Sequence, residues 1–216
     1  MTISLPHLRL PKAFAVLALA VSALVSVPAF AADKTPDEAK AFIQDLAQQA
    51  ITTVANRNFS DKERTDNFRR LFVASFDLPQ ISQFVLGRYW KTATPDQQQD
   101  FIKQFQELQV LTWTQRFKDY KGENLAVTNA TKDDKGFTVD SQLNHPPASP
   151  IPVQWKVRSG DDGKLLVSDI IVEGVSMAIT QRSDYNSMLQ GNGGKLDALM
   201  NAIRTKTDQM RASNGG

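Results

Sequence analysis

The stretch that decides the fold is residues 164–179, which read KLLVSDIIVEGVSMAI. Leu165 and Leu166 begin two alternating faces, and both faces are largely apolar. A strand with two apolar faces needs cover on both sides. Gly174 interrupts the run, and a glycine inside a strand pattern marks a bulge or a bend. The pattern predicts one long bent strand, continuing to the end of the stretch, at the centre of a sheet with helices on its concave side.

Four helices are predicted before this strand, because capping residues precede apolar residues at spacings of three and four. The predicted N-caps are Thr35, Ser60 and Thr94, and the third, short helix is expected to start at residues 77–79. Gly87 has the residue type expected at the C-terminal cap of the third helix. The fourth helix is the longest and is expected to end near Tyr120, before Gly122.

After Gly122 the apolar period changes from 3.6 residues to 2, which is typical of strands. Three more strands are predicted at residues 125–131, 137–143 and 151–158, with glycine-containing turns between several of them. Two helices, near residues 184–190 and 195–210, close the chain. No linker divides it, so we expect one α+β domain in which helices pack on a strongly curved antiparallel sheet of about four strands.

The N-terminus has the pattern of an export signal. Residues 13–27 form an unbroken run of small and apolar residues behind two basic ones, and residues 29–31 have the small-x-small pattern of a cleavage site. The run of about 15 residues is shorter than the roughly 20 that a membrane helix needs. We therefore expect residues 1–31 to be a cleaved signal peptide and residues 32–216 to be the mature domain.

Composition excludes several classes of function. Loss of the signal leaves 23 of the 25 basic residues against 23 acidic residues, so the mature chain has no formal net charge. A neutral chain without a basic cluster gives little electrostatic reason to bind nucleic acid. Because the chain has no cysteine, disulfides and thiolate ligands are absent and the fold depends on its core.

Residues suited to catalysis are scarce. His145 is the histidine that remains after loss of the signal, and it lies in a proline-rich loop. Ser176 lies in a partial nucleophile-elbow pattern, but that elbow needs a strand that turns into a helix beside a base. Since the run around Ser176 is expected to continue as strand, both residues are interpreted as structural. Metal-ligand spacings and phosphate-binding glycine loops are also missing, so we expect no enzyme, metal or cofactor.

An apolar surplus remains to be explained. The long helix carries more aromatic residues than one stripe requires, and Tyr89, Trp90 and Trp155 add to them. A filled core and a hollow pocket need the same apolar walls, so periodicity does not distinguish them. The sequence pattern is compatible with both interpretations.

Four short motifs are spaced over most of the mature chain, roughly from Thr35 to Lys206. They are VLGRYW at 85–90, TPDQ at 94–97, YKGE at 120–123 and DIIVEGVSM at 169–177, the last followed by Arg182. In this order they resemble the MlaC family of phospholipid-binding proteins, also called the toluene-tolerance family. The approach to the last motif, residues 165–168, lacks the aromatic residues of the family pattern.

The resemblance implies a monomeric periplasmic carrier, without catalytic residues, that holds phospholipid acyl chains in an apolar pocket between sheet and helices. It further implies transport between an outer-membrane lipoprotein complex and an inner-membrane ABC transporter with an MCE-domain subunit, which maintains outer-membrane lipid asymmetry. A hopanoid-associated branch shares much of the pattern, so hopanoid-type lipids are an alternative ligand. A non-lipid envelope module that acts through protein partners, with a solid core, is another alternative.

We expect the pocket walls to come from both the helices and the sheet. The expected wall residues are Val85, Tyr89, Phe101, Phe105, Leu108, Val139, Val153, Trp155, Ile170, Val172, Val175 and Met177. Arg88 and Arg182 are expected at the rim, where a guanidinium would bind the phosphate of a head group. The alternative for either arginine is an ordinary surface position or a local ion pair.

Overall fold

The structure is a computed structural model that describes residues 34–56 and 58–214. The described helices are α1 (Pro36–Ala55), α2 (Asp61–Ser75), α3 (Leu78–Leu86), the 3-10 helix η1 (Gly87–Lys91), α4 (Pro95–Phe117), α5 (Met177–Gly191) and α6 (Leu196–Asn214). The strands are β1 (Asn124–Asp133), β2 (Gly136–Asn144), β3 (Ile151–Ser159), β4 (Leu165–Val172) and β5 (Val175–Ser176). The α+β class predicted from the sequence is confirmed, with five strands instead of about four. The predicted signal peptide lies outside the described residues.

The helix starts follow from local capping. In α1 the Thr35 hydroxyl accepts a hydrogen bond from the Glu38 amide at 3.2 Å, and the Glu38 carboxylate accepts one from the Thr35 amide at 2.8 Å. The same reciprocal box opens α2 at Ser60 and α4 at Thr94. Each N-cap of this kind stabilises its helix by about 1 kcal/mol. Within the part of the chain that the structure describes, no helix combines the length and apolarity needed to cross a bilayer.

The strands form one antiparallel sheet in the order β1-β2-β3-β4-β5. Two β-bulges interrupt its register. Thr128 is the extra residue in β1, because Val127 pairs with Ser141 and Asn129 pairs with Asp140. A bulge bends its strand and increases the local twist, so the two bulges curve the sheet around the helices.

The second bulge corrects the prediction for β4. Ser168 is the extra residue, because Val167 pairs with Val157 and Asp169 pairs with Lys156. A one-residue insertion moves every later side chain to the other face. Ile170 therefore joins Val167 on the face that packs inward, whereas strict alternation had placed these two residues on opposite faces.

The predicted long strand through residue 179 is wrong. After Val172 the chain reverses at Glu173 and Gly174, whose φ angles are +51° and +80°, and the two-residue β5 pairs back onto β4. Met177 then begins α5, seven residues earlier than the closing helix was expected. β4 is therefore next to the short edge strand β5 instead of at the centre of the sheet.

Two apolar clusters form the interior. The first joins the helices, with members from α2, α3, α4, α5 and α6. The second joins the inner face of the sheet to α1, through buried residues such as Ile43 and Val139. Phe76 packs against both clusters. The helical layer and the sheet therefore meet at the short segment that contains Phe76.

Asp77 fixes this meeting point. Its amide donates to the Val167 carbonyl on β4 at 2.9 Å, and its carboxylate caps α3 by accepting from the Gln80 amide at 3.1 Å. The same carboxylate forms an ion pair with Arg158 on β3. Asp77 is buried, so this ion pair is shielded from water better than a surface pair. One residue thus positions α3 relative to two strands.

We expect Asp77→Ala to lower the free energy of unfolding by about 2 to 3 kcal/mol, because it removes a helix cap and leaves Arg158 without its partner. Asp77→Asn keeps an oxygen that can cap α3, so its loss should be about 1 kcal/mol. Urea unfolding of both variants measures the difference. Equal losses would contradict a role for the cap, and an unchanged stability of Asp77→Asn would contradict a structural role for the ion pair.

Candidate functional site

Five of the expected wall residues lie in the helical cluster. Val85, Phe101 and Phe105 are 0, 0 and 2% exposed. Tyr89 and Leu108 pack against the same cluster from partly buried positions. The structure therefore places these five residues in or against the interior of the helical layer.

Tyr185 on α5, which the sequence analysis did not single out, belongs to this cluster. The Phe101 and Phe105 rings are 5.9 Å apart, and the Tyr185 ring meets them edge-on at 6.0 and 6.4 Å. Burial raises the pKa of the Tyr185 phenol well above its ordinary value. The tyrosine thus stays neutral and acts as an aromatic packing residue between α4 and α5.

Five other expected wall residues share one face of the sheet. Val139 on β2 pairs with Trp155 on β3, which pairs with Ile170 on β4. Val153 pairs with Val172 in the next inward-facing row. Directly paired residues point to the same face of a sheet. The register therefore brings Val139, Val153, Trp155, Ile170 and Val172 together.

This face is unevenly covered. Val139 and Val153 are buried, whereas Trp155, Ile170 and Val172 are half-buried. The Trp155 indole donates to the Ser141 hydroxyl at 3.0 Å, and that hydroxyl donates to the Val153 carbonyl at 2.9 Å. These bonds satisfy the polar atoms of the face and fix the indole. The result is a rigid apolar surface whose β4 side is partly open.

The last two expected wall residues lie where the chain leaves the sheet. Val175 in β5 is 53% exposed, and Met177, the first residue of α5, is half-buried. The structure does not bring Val175 into either apolar cluster. Its exposure follows from the turn at Glu173 and Gly174, which the sequence analysis had interpreted as a bend within one strand.

Asp169 holds the start of α5 against β4. Its carboxylate accepts hydrogen bonds from the Ser176 hydroxyl and from the Ala178 amide, the latter at 3.0 Å. The Ser176 hydroxyl in turn caps α5 by accepting from the Ile179 amide at 3.1 Å. This role of Asp169 was not predicted from the sequence, because it depends on the turn at Glu173 and Gly174 that brings the start of α5 back to β4.

Ser176 does lie between a strand and a helix, so the earlier argument that its run continues as strand is wrong. Its hydroxyl is engaged by Asp169 and by the α5 backbone, and no histidine is among its hydrogen-bond partners in the described part of the chain. His145 pairs instead with Glu123, with 2.6 Å between Nδ1 and Oε1. The arrangement is a helix cap and lacks the base that a nucleophilic serine needs.

The two expected rim arginines are Arg88 in η1 and Arg182 on α5, and Arg182 lies beside Gly87, the residue before Arg88. The Arg182 guanidinium lies 4.9 Å from the centre of the Phe84 ring and 3.1 Å from the position that a Cβ on Gly87 would take. The Arg88 guanidinium lies 5.5 Å from the centre of the Tyr89 ring. Neither arginine forms an ion pair with a described residue. Their charges are therefore free to bind an anion.

Two surface cavities lined by described residues have more polar walls than the apolar face of the sheet. One, of about 200 Å³, lies on the outer face of the sheet and is lined by residues that include Asp140, Gln142 and Gln154. The other, of about 460 Å³, lies where α4 and α6 begin and includes Asp96 and Arg204. Pockets for apolar ligands have mainly apolar walls. Neither cavity has them, and the described residues contain no cluster of potential metal ligands.

One antiparallel sheet with an apolar inner face, packed against a layer of helices, defines the class of α+β proteins to which this chain belongs. The MlaC protein family matches residues 44–205. The chain belongs to this family, and the resemblance proposed from its motifs is confirmed.

Individual relatives agree with the family. The chain is 23% identical to the intermembrane phospholipid transport system binding protein MlaC of Haemophilus influenzae, over 94% of this chain and 96% of that protein. It is 25% identical to the toluene tolerance protein ttg2D of Pseudomonas putida, over 61% and 62% of the two chains. A phospholipid-binding protein from Ralstonia solanacearum, solved with a phospholipid, has a similar fold. The TM-score is 0.70 at 21% identity, covering 80% of this chain and 98% of that one.

We expect Asp169→Ala to cost about 2 to 3 kcal/mol of folding free energy, because it removes the acceptor of two hydrogen bonds. Ser176→Ala should cost about 1 kcal/mol as a lost helix cap. The double variant should lose less than the sum, since the two side chains bond to each other. Urea unfolding of the four proteins gives the coupling energy.

Ser187→Ala is the matched control on the same helix, because its hydroxyl donates to the Ser183 carbonyl at an exposed site. Its effect should stay within about 0.5 kcal/mol. Additive losses for Asp169 and Ser176 would show that the contact does not hold α5.

Proposed function

We propose that this chain is a periplasmic carrier that moves phospholipids between the outer membrane and an inner-membrane ABC transporter, and so maintains outer-membrane lipid asymmetry. The observation that supports this most directly is the inward face of the sheet. Val139, Val153, Trp155, Ile170 and Val172 form a continuous apolar surface that is partly open beside β4. Membership of the MlaC family supports the same function.

The physical demand on such a carrier is to shield hydrocarbon from water. The two tails of a phospholipid contain about 30 methylene groups, and at about 0.8 kcal/mol each they cost about 24 kcal/mol to expose. Methylene groups carry little directional information, so smooth apolar walls suffice to hold them. We assign these walls to the sheet face and to the partly buried Tyr89 and Leu108, which pack against the helical cluster around Val85.

The head group needs a different environment. A phosphate remains hydrated and binds best where guanidinium groups reach it at a surface. Arg88 and Arg182 are proposed as these rim residues, because neither is paired with a carboxylate of the described chain. The aromatic contacts of Arg182 restrict its side chain, so less entropy would be lost when it binds an anion.

The remaining parts of the proposal follow from the family. Residues 1–31 would direct export, the mature chain would act as a monomer, and its partners would be an outer-membrane lipoprotein complex and an MCE-domain transporter. We propose no catalytic step, since Ser176 serves as a helix cap and His145 is bound to Glu123.

Native mass spectrometry of the protein purified from cells tests the proposal. We expect about one phospholipid per chain, because one apolar sheet face is proposed as the ligand site. Lipid extraction then identifies the ligand. A hopanoid in place of a phospholipid would contradict the ligand assignment, and protein without bound lipid would contradict carriage and favour an interaction module with a solid core.

Val172→Trp should reduce the bound phospholipid to less than about half, because the indole would occupy the volume proposed for the tails. Ile171→Trp is the matched control, since Ile171 is the neighbouring residue on the opposite face of β4. Native mass spectrometry measures lipid per chain, and urea unfolding checks that both variants fold. Equal lipid content in the two variants would place the ligand elsewhere.

Arg182→Gln should weaken the binding of phosphatidylglycerol about tenfold, because a charge-assisted hydrogen bond to phosphate is lost. Arg204→Gln removes the same charge from an exposed position on α6 and should leave binding within about twofold. Competition against a labelled phospholipid measures both. Unchanged binding in Arg182→Gln would exclude this residue from the rim.

A further inference from the structure

Exposed apolar side chains concentrate where α3, β5 and α5 meet. Phe84 on α3, Val175 in β5 and Ile179 on α5 are 40, 53 and 60% exposed. Packing places these elements together, because α5 contacts both α3 and β5. Large exposed apolar side chains that group on one surface indicate an interaction site, whereas isolated ones need no explanation.

Arg182 connects the members of this group. Its guanidinium lies against the Phe84 ring at 4.9 Å. Ile179 lies three residues earlier on the same helix, and side chains at that spacing are neighbours on a helix surface. Val175 directly precedes Ser176, the N-cap of α5. One observed contact, the helix spacing and the chain sequence therefore place side chains from three elements in one region of the surface.

Three cations accompany the apolar residues. Arg88 and Lys91 lie in η1, which directly follows α3, and residues three apart in a 3-10 helix project from the same side. Arg182 is the third cation. Within the described chain none of the three takes part in an ion pair, and Glu173 borders the group in the turn before β5. We refer to these six residues together as the docking surface. They are Phe84, Arg88, Lys91, Val175, Ile179 and Arg182.

We propose that the docking surface binds directly to an anionic phospholipid membrane, an inference that rests on the proposed carrier function and names where the carrier meets lipid. Apolar side chains flanked by free cations match a bilayer interface, in which hydrocarbon lies beneath anionic head groups. Protein–protein interfaces are depleted of lysine, although not of arginine, so Lys91 is the cation that favours a bilayer over a protein partner. The proposed rim arginines belong to this surface, so membrane contact would bring the lipid site to its source.

Vesicle co-sedimentation tests the proposal on the full mature chain. Vesicles contain equal parts of phosphatidylglycerol and phosphatidylcholine, and vesicles of phosphatidylcholine alone serve for comparison. We expect binding to the anionic vesicles that weakens at high salt, because screening reduces the attraction between exposed charges. Failure of the unaltered protein to bind anionic vesicles would overturn the proposal.

Two substitutions separate the apolar and electrostatic contributions, and neither residue belongs to the proposed lipid pocket or its rim. Ile179→Glu should weaken partitioning roughly tenfold or more, because an aliphatic side chain no longer enters the interface and a negative charge is added. Lys91→Glu should weaken it about tenfold, since reversal of one charge near an anionic surface removes an attraction and adds a repulsion.

Matched controls exist on other surfaces. Met188→Glu alters an exposed apolar residue on the opposite side of α5, and Lys206→Glu reverses an exposed charge on α6. Both should bind vesicles within about twofold of the unaltered protein. Circular dichroism checks that all four variants fold. If the controls lose as much binding as the test variants, attraction depends on overall charge and the docking surface is wrong.

A second measurement distinguishes a failure of the docking surface from a failure of the proposed carrier function. Lipid content of the same variants, measured by native mass spectrometry, should not change. Vesicle binding that depends on Ile179 and Lys91 in a protein without bound lipid would contradict the carrier and retain the docking surface. Variants that bind vesicles normally but lose cross-linking to an envelope protein would assign the surface to a protein partner and overturn the proposal.

Discussion

The structure depends on the contact between Asp77 and the sheet. The hydrogen bond from the Asp77 amide to the Val167 carbonyl, with the ion pair to Arg158, fixes the start of α3 beside β4. The 3-10 helix η1, which carries Arg88, directly follows α3, so its position depends on this contact. Because Phe76 contacts both apolar clusters, the same segment also decides how closely the helical layer approaches the sheet.

Local sequence rules predicted the elements that local interactions determine. The helix starts at Thr35, Ser60 and Thr94 are correct. Each cap bonds to an amide only three residues later, so the sequence pattern contains both partners. The change of apolar period after Gly122 likewise located the first three strands. Family motifs added what periodicity did not provide, namely the family to which the chain belongs.

The errors fall where nonlocal contacts decide the structure. The bulge at Ser168 depends on how β4 pairs with β3, and alternation along one strand contains no sign of it. The start of α5 depends on Asp169, whose carboxylate accepts from the Ala178 amide across a turn. Glu173 also has a positive φ, which the residue type does not favour. Because of these features, the residues predicted to continue β4 form the edge strand β5, which carries Val175, and the start of α5, which carries Ile179 and Arg182.

The division of the interior into two clusters bears on how a carrier of this kind loads and releases its ligand. In a single close-packed core, space for two acyl chains would require displaced side chains, and each cavity or misfit costs several kcal/mol. Here the helical cluster and the sheet cluster are each packed internally, and Phe76 lies between them. In the proposed carrier, hydrocarbon would enter between the two clusters and would leave the packing within each intact. The packing within the clusters would then stabilise the fold, while the proposed lipid site would lie between them.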